Sequence, residues 1–134
     1  MSKTTAVIGG AILSAALFAG LAPSLAQPTG IKRALLLKQD LSVEGREVIM
    51  AQAEIAPGAS AGKHYHHGEE VGYVLEGETV LEVDGQAPVT LKAGQSYAIP
   101  AGKPHDATAS GNAPVRVLAV YIVEKGKPLA EPVK

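Results

Sequence analysis

Hydrophobic residues beyond residue 30 recur with the two-residue period of β-strands, and no segment there shows the period of a helix. In the run 48–55, one face carries Ile and Ala alone while the other becomes polar toward its end. The other predicted strands are 34–37, 71–75, 79–83, 89–91, 96–99 and 115–123. Turns rich in Gly and Pro separate them at intervals of about 8–12 residues, so we predict an all-β fold, a small antiparallel barrel.

The last predicted strand, 115–123, is apolar on both of its faces. One face carries Val, Ala and Tyr, and the other is apolar except for Arg116. A strand of this kind is covered on both sides, so one face lines the barrel and the other needs a second layer. We predict a homodimer that covers the outer face, with coverage by the segment 31–41 of the same chain as the alternative.

The first 26 residues differ in composition from the rest of the chain. Lys3 precedes an uncharged apolar run over 6–21, and Ser24-Leu25-Ala26 has the small-x-small pattern of a cleavage site. We expect 1–26 to be a secretory signal peptide and 27–134 to be one domain, exported to the periplasm or secreted. An uncleaved membrane anchor is the alternative, although the run is at the lower limit for spanning a bilayer. After cleavage we expect no stable membrane association.

Charge and cysteine content exclude several classes of protein. The chain has 12 basic and 13 acidic residues and no cysteine. This balance gives no electrostatic reason to expect nucleic acid as a partner. A thiol nucleophile, a zinc–thiolate site and an iron–sulfur cluster are excluded because each requires cysteine.

Three of the four histidines lie in one short segment, GKHYHHGEE. His64 and His66 are two residues apart, so on a β-strand their imidazoles point to the same face. Glu70 follows after a short interval, and His105 lies far along the chain. Imidazoles combined with a carboxylate form the mixed nitrogen and oxygen set that suits a first-row transition metal.

The spacing of these residues resembles the two cupin motifs. The first is a glycine, five residues, His-x-His, three or four residues, Glu, six residues and Gly. The second is a glycine, five residues, Pro-x-Gly, two residues, His, three residues and Asn. The matching positions are Gly58, His64, His66, Glu70, Gly77, Gly94, Pro100, Gly102 and His105. Ala109 replaces the final asparagine, and the resemblance covers 58–109.

The resemblance to the cupin superfamily implies a double-sheet, jelly-roll-like barrel that binds one divalent transition metal. The implied ligands are His64, His66, Glu70 and His105. Iron or manganese suits this set best, and nickel, copper or zinc is also compatible. The implied activity is dioxygenase, isomerase or decarboxylase chemistry on a small oxygen-bearing molecule. The alternative is a non-catalytic module that binds a small molecule or metal, because the fold does not decide function.

The sequence reveals no substrate-binding residues beyond the predicted metal ligands. No arginine clamp, general base or aromatic platform is evident in it. We expect Tyr73, Tyr97 and Tyr121 in the core and Tyr65 outside the barrel. We expect His67 at the barrel rim, with a proton shuttle as its alternative role.

Overall fold

The computed structural model describes residues 30–134, and the predicted signal peptide at 1–26 lies outside the described residues. Residues 30–134 form ten strands and no helix, so none of them belongs to a helix that could cross a membrane. The strands are β1 (Ile31–Asp40), β2 (Arg46–Ile55), β3 (His64–Tyr65), β4 (Gly68–Glu76), β5 (Glu78–Val83), β6 (Val89–Lys92), β7 (Ser96–Ile99), β8 (His105–Ala109), β9 (Val115–Glu124) and β10 (Glu131–Pro132).

The strands form two antiparallel sheets of five, which confirms the predicted all-β double-sheet fold. The first sheet has the order β1-β2-β9-β4-β7, and the second has the order β10-β3-β8-β5-β6. From β3 to β9 the chain passes repeatedly from one sheet to the other. This path brings residues that are distant in sequence together between the sheets, and it places His64 opposite His105.

The larger cluster of the core lies on the inner faces of β2 and β9, and a second cluster includes Val74, Leu81 and Ile99 of β4, β5 and β7. Alternate residues of β2, beginning at Glu47 and ending at Ile55, are buried, as the hydrophobic pattern predicts. The inner face of β9 is buried along its whole length, from Val115 to Val123. Fully burying one of the inner-face valines of β9 stabilises the fold by about 1.5–3 kcal/mol. The small side chains of Ala53 and Ala119 line the cavity that lies between the sheets.

The outer face of the first sheet is apolar and only partly covered by residues 30–134. Leu118 and Val120 are half-buried there, and Ile122 is 37% exposed. Tyr73 lies opposite Leu118 on the same face and is 46% exposed, so its predicted place in the core is wrong. β1 pairs with β2 at the sheet edge, which extends the sheet. The segment 31–41 therefore does not cover β9, contrary to the alternative considered above.

The structure differs from the sequence prediction most in β1 and β8, and the two-residue strands β3 and β10 are additional to the predicted ones. β1 begins at Ile31 and continues to Asp40, well beyond the predicted 34–37. β8 was not predicted, because its residues are small and polar between the buried His105 and Ala109. β8 is held by pairing with β5 and β3, and this long-range pairing leaves no local hydrophobic pattern.

Candidate metal centre

The structure brings all four predicted ligands together between the sheets. His64 on β3 lies directly opposite His105 on β8, and His66 follows two residues after His64. Glu70 projects from β4 of the other sheet. None of the four residues is more than 7% exposed. Ring nitrogens of the three histidines lie within 4.8 Å of one another, so these residues could hold a metal ion.

Each of the three imidazoles is oriented by a backbone carbonyl. The Nδ1 contacts are with Gly62 for His64 (2.6 Å), Leu129 for His66 (2.5 Å) and Lys103 for His105 (2.8 Å). A carbonyl oxygen can only accept a hydrogen bond, so a neutral ring places its proton on Nδ1. The Nε2 atom then carries the free lone pair, which is the form that ligates a metal.

The Nε2 lone pairs face a carboxylate oxygen. Nε2 of His66 and of His105 lie 2.8 and 3.4 Å from Oε2 of Glu70. Despite these distances, neither nitrogen makes an aligned hydrogen bond with any residue in 30–134. Electron-rich atoms this close in a buried site repel one another unless a proton or a metal cation lies between them. The donor set of three imidazoles and one carboxylate therefore fits a divalent transition metal.

The electrostatics favour the ligating forms of these groups. Burial lowers the pKa of His64 to about 4, and the neighbouring His105 and His66 add to this effect, so the ring is neutral at pH 7. Burial alone would raise the pKa of Glu70, but His105, His66 and Tyr97 favour its ionised form. The net pKa of Glu70 lies well below its usual range, so it is a carboxylate at neutral pH.

Tyr97 holds the other oxygen of this carboxylate. Its hydroxyl donates to Oε1 of Glu70 at 2.7 Å, which leaves Oε2 toward the histidines. Tyr97 lies opposite Gly72 in the pairing of β7 with β4. A Cβ atom at position 72 would overlap the Tyr97 ring, so glycine is required there. Burial raises the pKa of Tyr97, which keeps the hydroxyl protonated as a donor.

The centre borders a cavity of about 40 Å³ between the sheets. His64, Glu70 and His105 line it, together with Arg33 and Tyr121. Arg33 precedes the apolar run 34–37 that predicts the first strand, so the hydrophobic pattern alone does not point to it. Once β1 is known to begin at Ile31, alternation along the strand predicts that position 33 shares the inner face.

The remaining aromatic residues lie away from the cavity. His67 is partly buried, and its Nε2 lies 3.3 Å from Oε1 of Glu131. Its ring packs edge-on against Tyr65, with ring centroids 5.5 Å apart. Neither residue lines the cavity. His67 and the predicted ligand His66 line a second, more open pocket, which agrees with the rim location expected for His67 and leaves the proton shuttle as its alternative role.

A small barrel of two antiparallel sheets, with buried imidazoles between them, defines a class of β-protein that binds its ligand inside the barrel. The family model of the Cupin domain (Cupin_2) matches residues 41–121. The chain belongs to this cupin family, which confirms the resemblance carried by the two motifs.

Two curated relatives and one solved structure show how far the similarity extends. The chain is 40% identical over 77 residues to the HTH-type transcriptional regulator PuuR of Escherichia coli, covering 57% of this chain and 41% of PuuR. It is 36% identical over 90 residues to an oxalate-binding protein of Thermotoga maritima, covering 66% of this chain and 72% of that protein. The polyketide cyclase RemF of Streptomyces resistomycificus superposes with a TM-score of 0.63 at 25% identity, covering 81% and 74% of the two chains.

The similarity to PuuR concerns only part of that regulator. The chain spans about two fifths of the length of PuuR. Residues 30–134 contain no helix, so they provide no helix-turn-helix segment. The expectation that this chain does not bind nucleic acid stays a prediction.

Proposed function

We propose that this chain is an exported cupin that binds one divalent transition metal through His64, His66, Glu70 and His105. It acts on a small oxygen-bearing organic molecule. One observation carries the proposal: three imidazoles, each with Nδ1 at a backbone carbonyl, direct Nε2 toward a buried space beside the Glu70 carboxylate. An arrangement with lone pairs converging on a buried point is costly unless a cation compensates it.

The ligand types favour iron(II) or manganese(II). Three imidazoles exclude the all-oxygen shells of calcium and magnesium. Nickel, copper and zinc accept the same nitrogen ligands. The supply of metals in the compartment to which the chain is exported therefore contributes to which metal is bound. Four protein ligands leave two positions of an octahedral ion for a small molecule.

The residues around the centre bind and orient the small molecule, and they do not act as bases that remove protons from it. A metal ion bound here would supply Lewis-acid or redox chemistry to an oxygen-bearing ligand. Burial raises the pKa values of the Tyr97 and Tyr121 hydroxyls, so both are protonated donors at neutral pH and not general bases. The apolar and alanine side chains of the cavity wall limit the access of water.

Two activities fit this site, and each has a relative in its favour. Catalytic turnover is supported by the superposition with RemF, a polyketide cyclase, and the reaction that we propose here is that of a dioxygenase, isomerase or decarboxylase. A non-catalytic binding module is supported by the oxalate-binding protein of Thermotoga maritima, most of whose length is matched. Oxygen uptake and product formation by the metal-loaded protein, measured with small organic acids and diketones, distinguish the two activities.

The proposal includes export and a homodimer. The apolar run and cleavage pattern of residues 1–26 support export. The apolar outer face of the first sheet, which includes Leu118, Val120 and Ile122, supports pairing of two copies through that face. The mass of the protein isolated from its host tests the cleavage after Ala26.

Metal titration of adjacent histidine variants tests the ligand set. His66→Ala removes an Nε2 that faces Glu70, so we expect most metal binding to be lost. The control, His67→Ala, changes a histidine that faces Glu131 outside the cavity, and it should bind metal as the wild type does. Equal loss of metal in the two variants would refute the assignment of faces.

A further inference from the structure

Arg33 places a guanidinium group in the cavity that borders the metal centre. It lies on the inner face of β1, opposite Ala53 of β2, and it lines the cavity with His64 and Glu70. Its Nε atom is buried and has no hydrogen-bond partner within residues 30–134. Polar atoms buried in proteins are nearly always paired, so this donor requires an explanation.

Two other cations of the same sheet are paired with acids, unlike Arg33. Lys38, also on β1, lies 3.3 Å from Oε2 of Glu47, and Arg116 of β9 lies 3.0 Å from Oε2 of Glu54. Arg33 forms no ion pair with any acid in the described part of the chain. Arg33 therefore has no structural role as a salt-bridge partner within residues 30–134.

The carboxylate of Glu70 is already engaged and does not serve Arg33. Tyr97 donates to its Oε1, and the histidine Nε2 atoms face its Oε2. Among the described residues that line the cavity, Glu70 is the only acid. A divalent ion held by Glu70 would leave a net positive charge there, to which Arg33 adds. An anion is the ligand that balances such a cavity.

We propose that Arg33 binds the carboxylate of a small organic acid, whose remaining oxygen atoms reach the metal held by the histidines. A guanidinium presents a planar fork of donors that matches a carboxylate bidentately. The Tyr121 hydroxyl lies beside Arg33 on the cavity wall and is a second donor. This inference rests on the proposed metal site, and it narrows the ligand from an oxygen-bearing molecule to a carboxylate.

The size of the cavity restricts the acid. Its volume is about 40 Å³, and one water occupies roughly 10–15 Å³ on the same measure. The space therefore takes only a few non-hydrogen atoms, which corresponds to an acid of two or three carbons. Aromatic acids and long-chain acids do not fit.

Calorimetry with the purified, manganese-loaded chain tests this role. The probes are oxalate and glycolate as small acids, oxamide as the neutral isostere of oxalate, and benzoate as an oversized acid. We expect oxalate to bind and oxamide and benzoate not to bind. Arg33→Met should weaken oxalate binding roughly 10- to 100-fold, because it removes charged hydrogen bonds to a buried carboxylate. Its manganese content should equal that of the wild type.

Two further variants keep the test specific to Arg33. Lys32→Met removes one positive charge from the neighbouring position, whose side chain lies on the outer face opposite Glu54. This control should bind oxalate as the wild type does. Arg33→Lys keeps the charge without the fork, and it should bind oxalate with intermediate strength. Arg33→Lys also replaces Arg33→Met as the test variant if the methionine variant does not fold.

The outcomes separate this inference from the metal proposal. If the wild type and Arg33→Met both load manganese and bind oxalate equally, the role of Arg33 is refuted and the metal site stands. Binding of oxamide as tightly as oxalate also refutes it, as does failure of the loaded wild type to bind any of the small acids. If the wild type binds no metal but takes up oxalate in an Arg33-dependent way, the metal proposal fails and the anion site stands.

Discussion

Replacing Tyr97 by Phe tests how the carboxylate of the metal centre is held. The variant keeps the ring that packs across Gly72 and removes only the hydroxyl that donates to Oε1 of Glu70. Hydrogen bonds to charged groups contribute about 1.5–3 kcal/mol to stability. Because Glu70 is buried, we expect the metal-free variant to lose a free energy of unfolding in that range. Manganese affinity should fall about 10- to 100-fold, as is typical when a group that orients a ligand is lost.

The loss of stability should depend on pH in a defined direction. The folded pKa of Glu70 is held well below its usual range. The stabilisation linked to this ionised carboxylate is therefore fully present above the unfolded pKa of about 4.3, and it declines as pH falls toward the folded pKa. We expect the stability difference between wild type and Tyr97→Phe to be largest near neutral pH and to shrink below about pH 4.

Urea unfolding at neutral and acidic pH, with manganese titration at pH 7, measures these effects. Tyr73→Phe is the matched control, because it makes the same change to an exposed tyrosine on the outer face of β4. It should change neither stability nor metal affinity. If Tyr97→Phe behaves like this control, the hydroxyl does not hold Glu70, and the proposed orientation of the carboxylate is refuted.

Two further predictions concern acid stability and assembly. Burial lowers the pKa of His64 to about 4, so the unfolded chain binds a proton that the folded metal-free protein refuses. The free energy of unfolding of the metal-free protein should decrease as the pH is lowered from about 6.5 to 4. A free energy that urea unfolding shows to be constant over this range would contradict the burial of His64. Ile122→Glu places a charge on the outer face of the first sheet and should convert the proposed dimer to a monomer in sedimentation. Val89→Glu, at an exposed apolar position on the second sheet, should remain dimeric, and a dimeric Ile122→Glu would argue against this interface.

The sequence was sufficient to predict that four side chains converge, because the spacing of the two cupin motifs specifies their positions. The four residues are His64, His66, Glu70 and His105. The two histidines near the first motif share a strand face by simple alternation. The other two residues approach through strand pairing that the cupin motifs fix indirectly, as the opposition of His64 and His105 shows. The spacing thus encodes the positions of the donor atoms.

Tyr97 and Arg33 could not be assigned in this way. Tyr73 and Tyr97 are both tyrosines in alternating strands, yet one lies outside and the other contacts Glu70. What separates them is the register of β4 with β7 and β9, which follows from contacts distant in sequence. Arg33 faces the cavity because β1 pairs with β2 from Ile31 onward, and hydrophobicity alone gave a later start for this strand.

Elemental analysis of the protein is the most direct test of the metal centre. The protein should be purified from its own host compartment without chelators or metal-affinity media, and its metal content reported per chain. The four converging ligands predict close to one iron or manganese per chain, with nickel or copper also consistent with the site. Metal-free protein with its ligand residues intact would contradict the account and would favour the non-catalytic binding module.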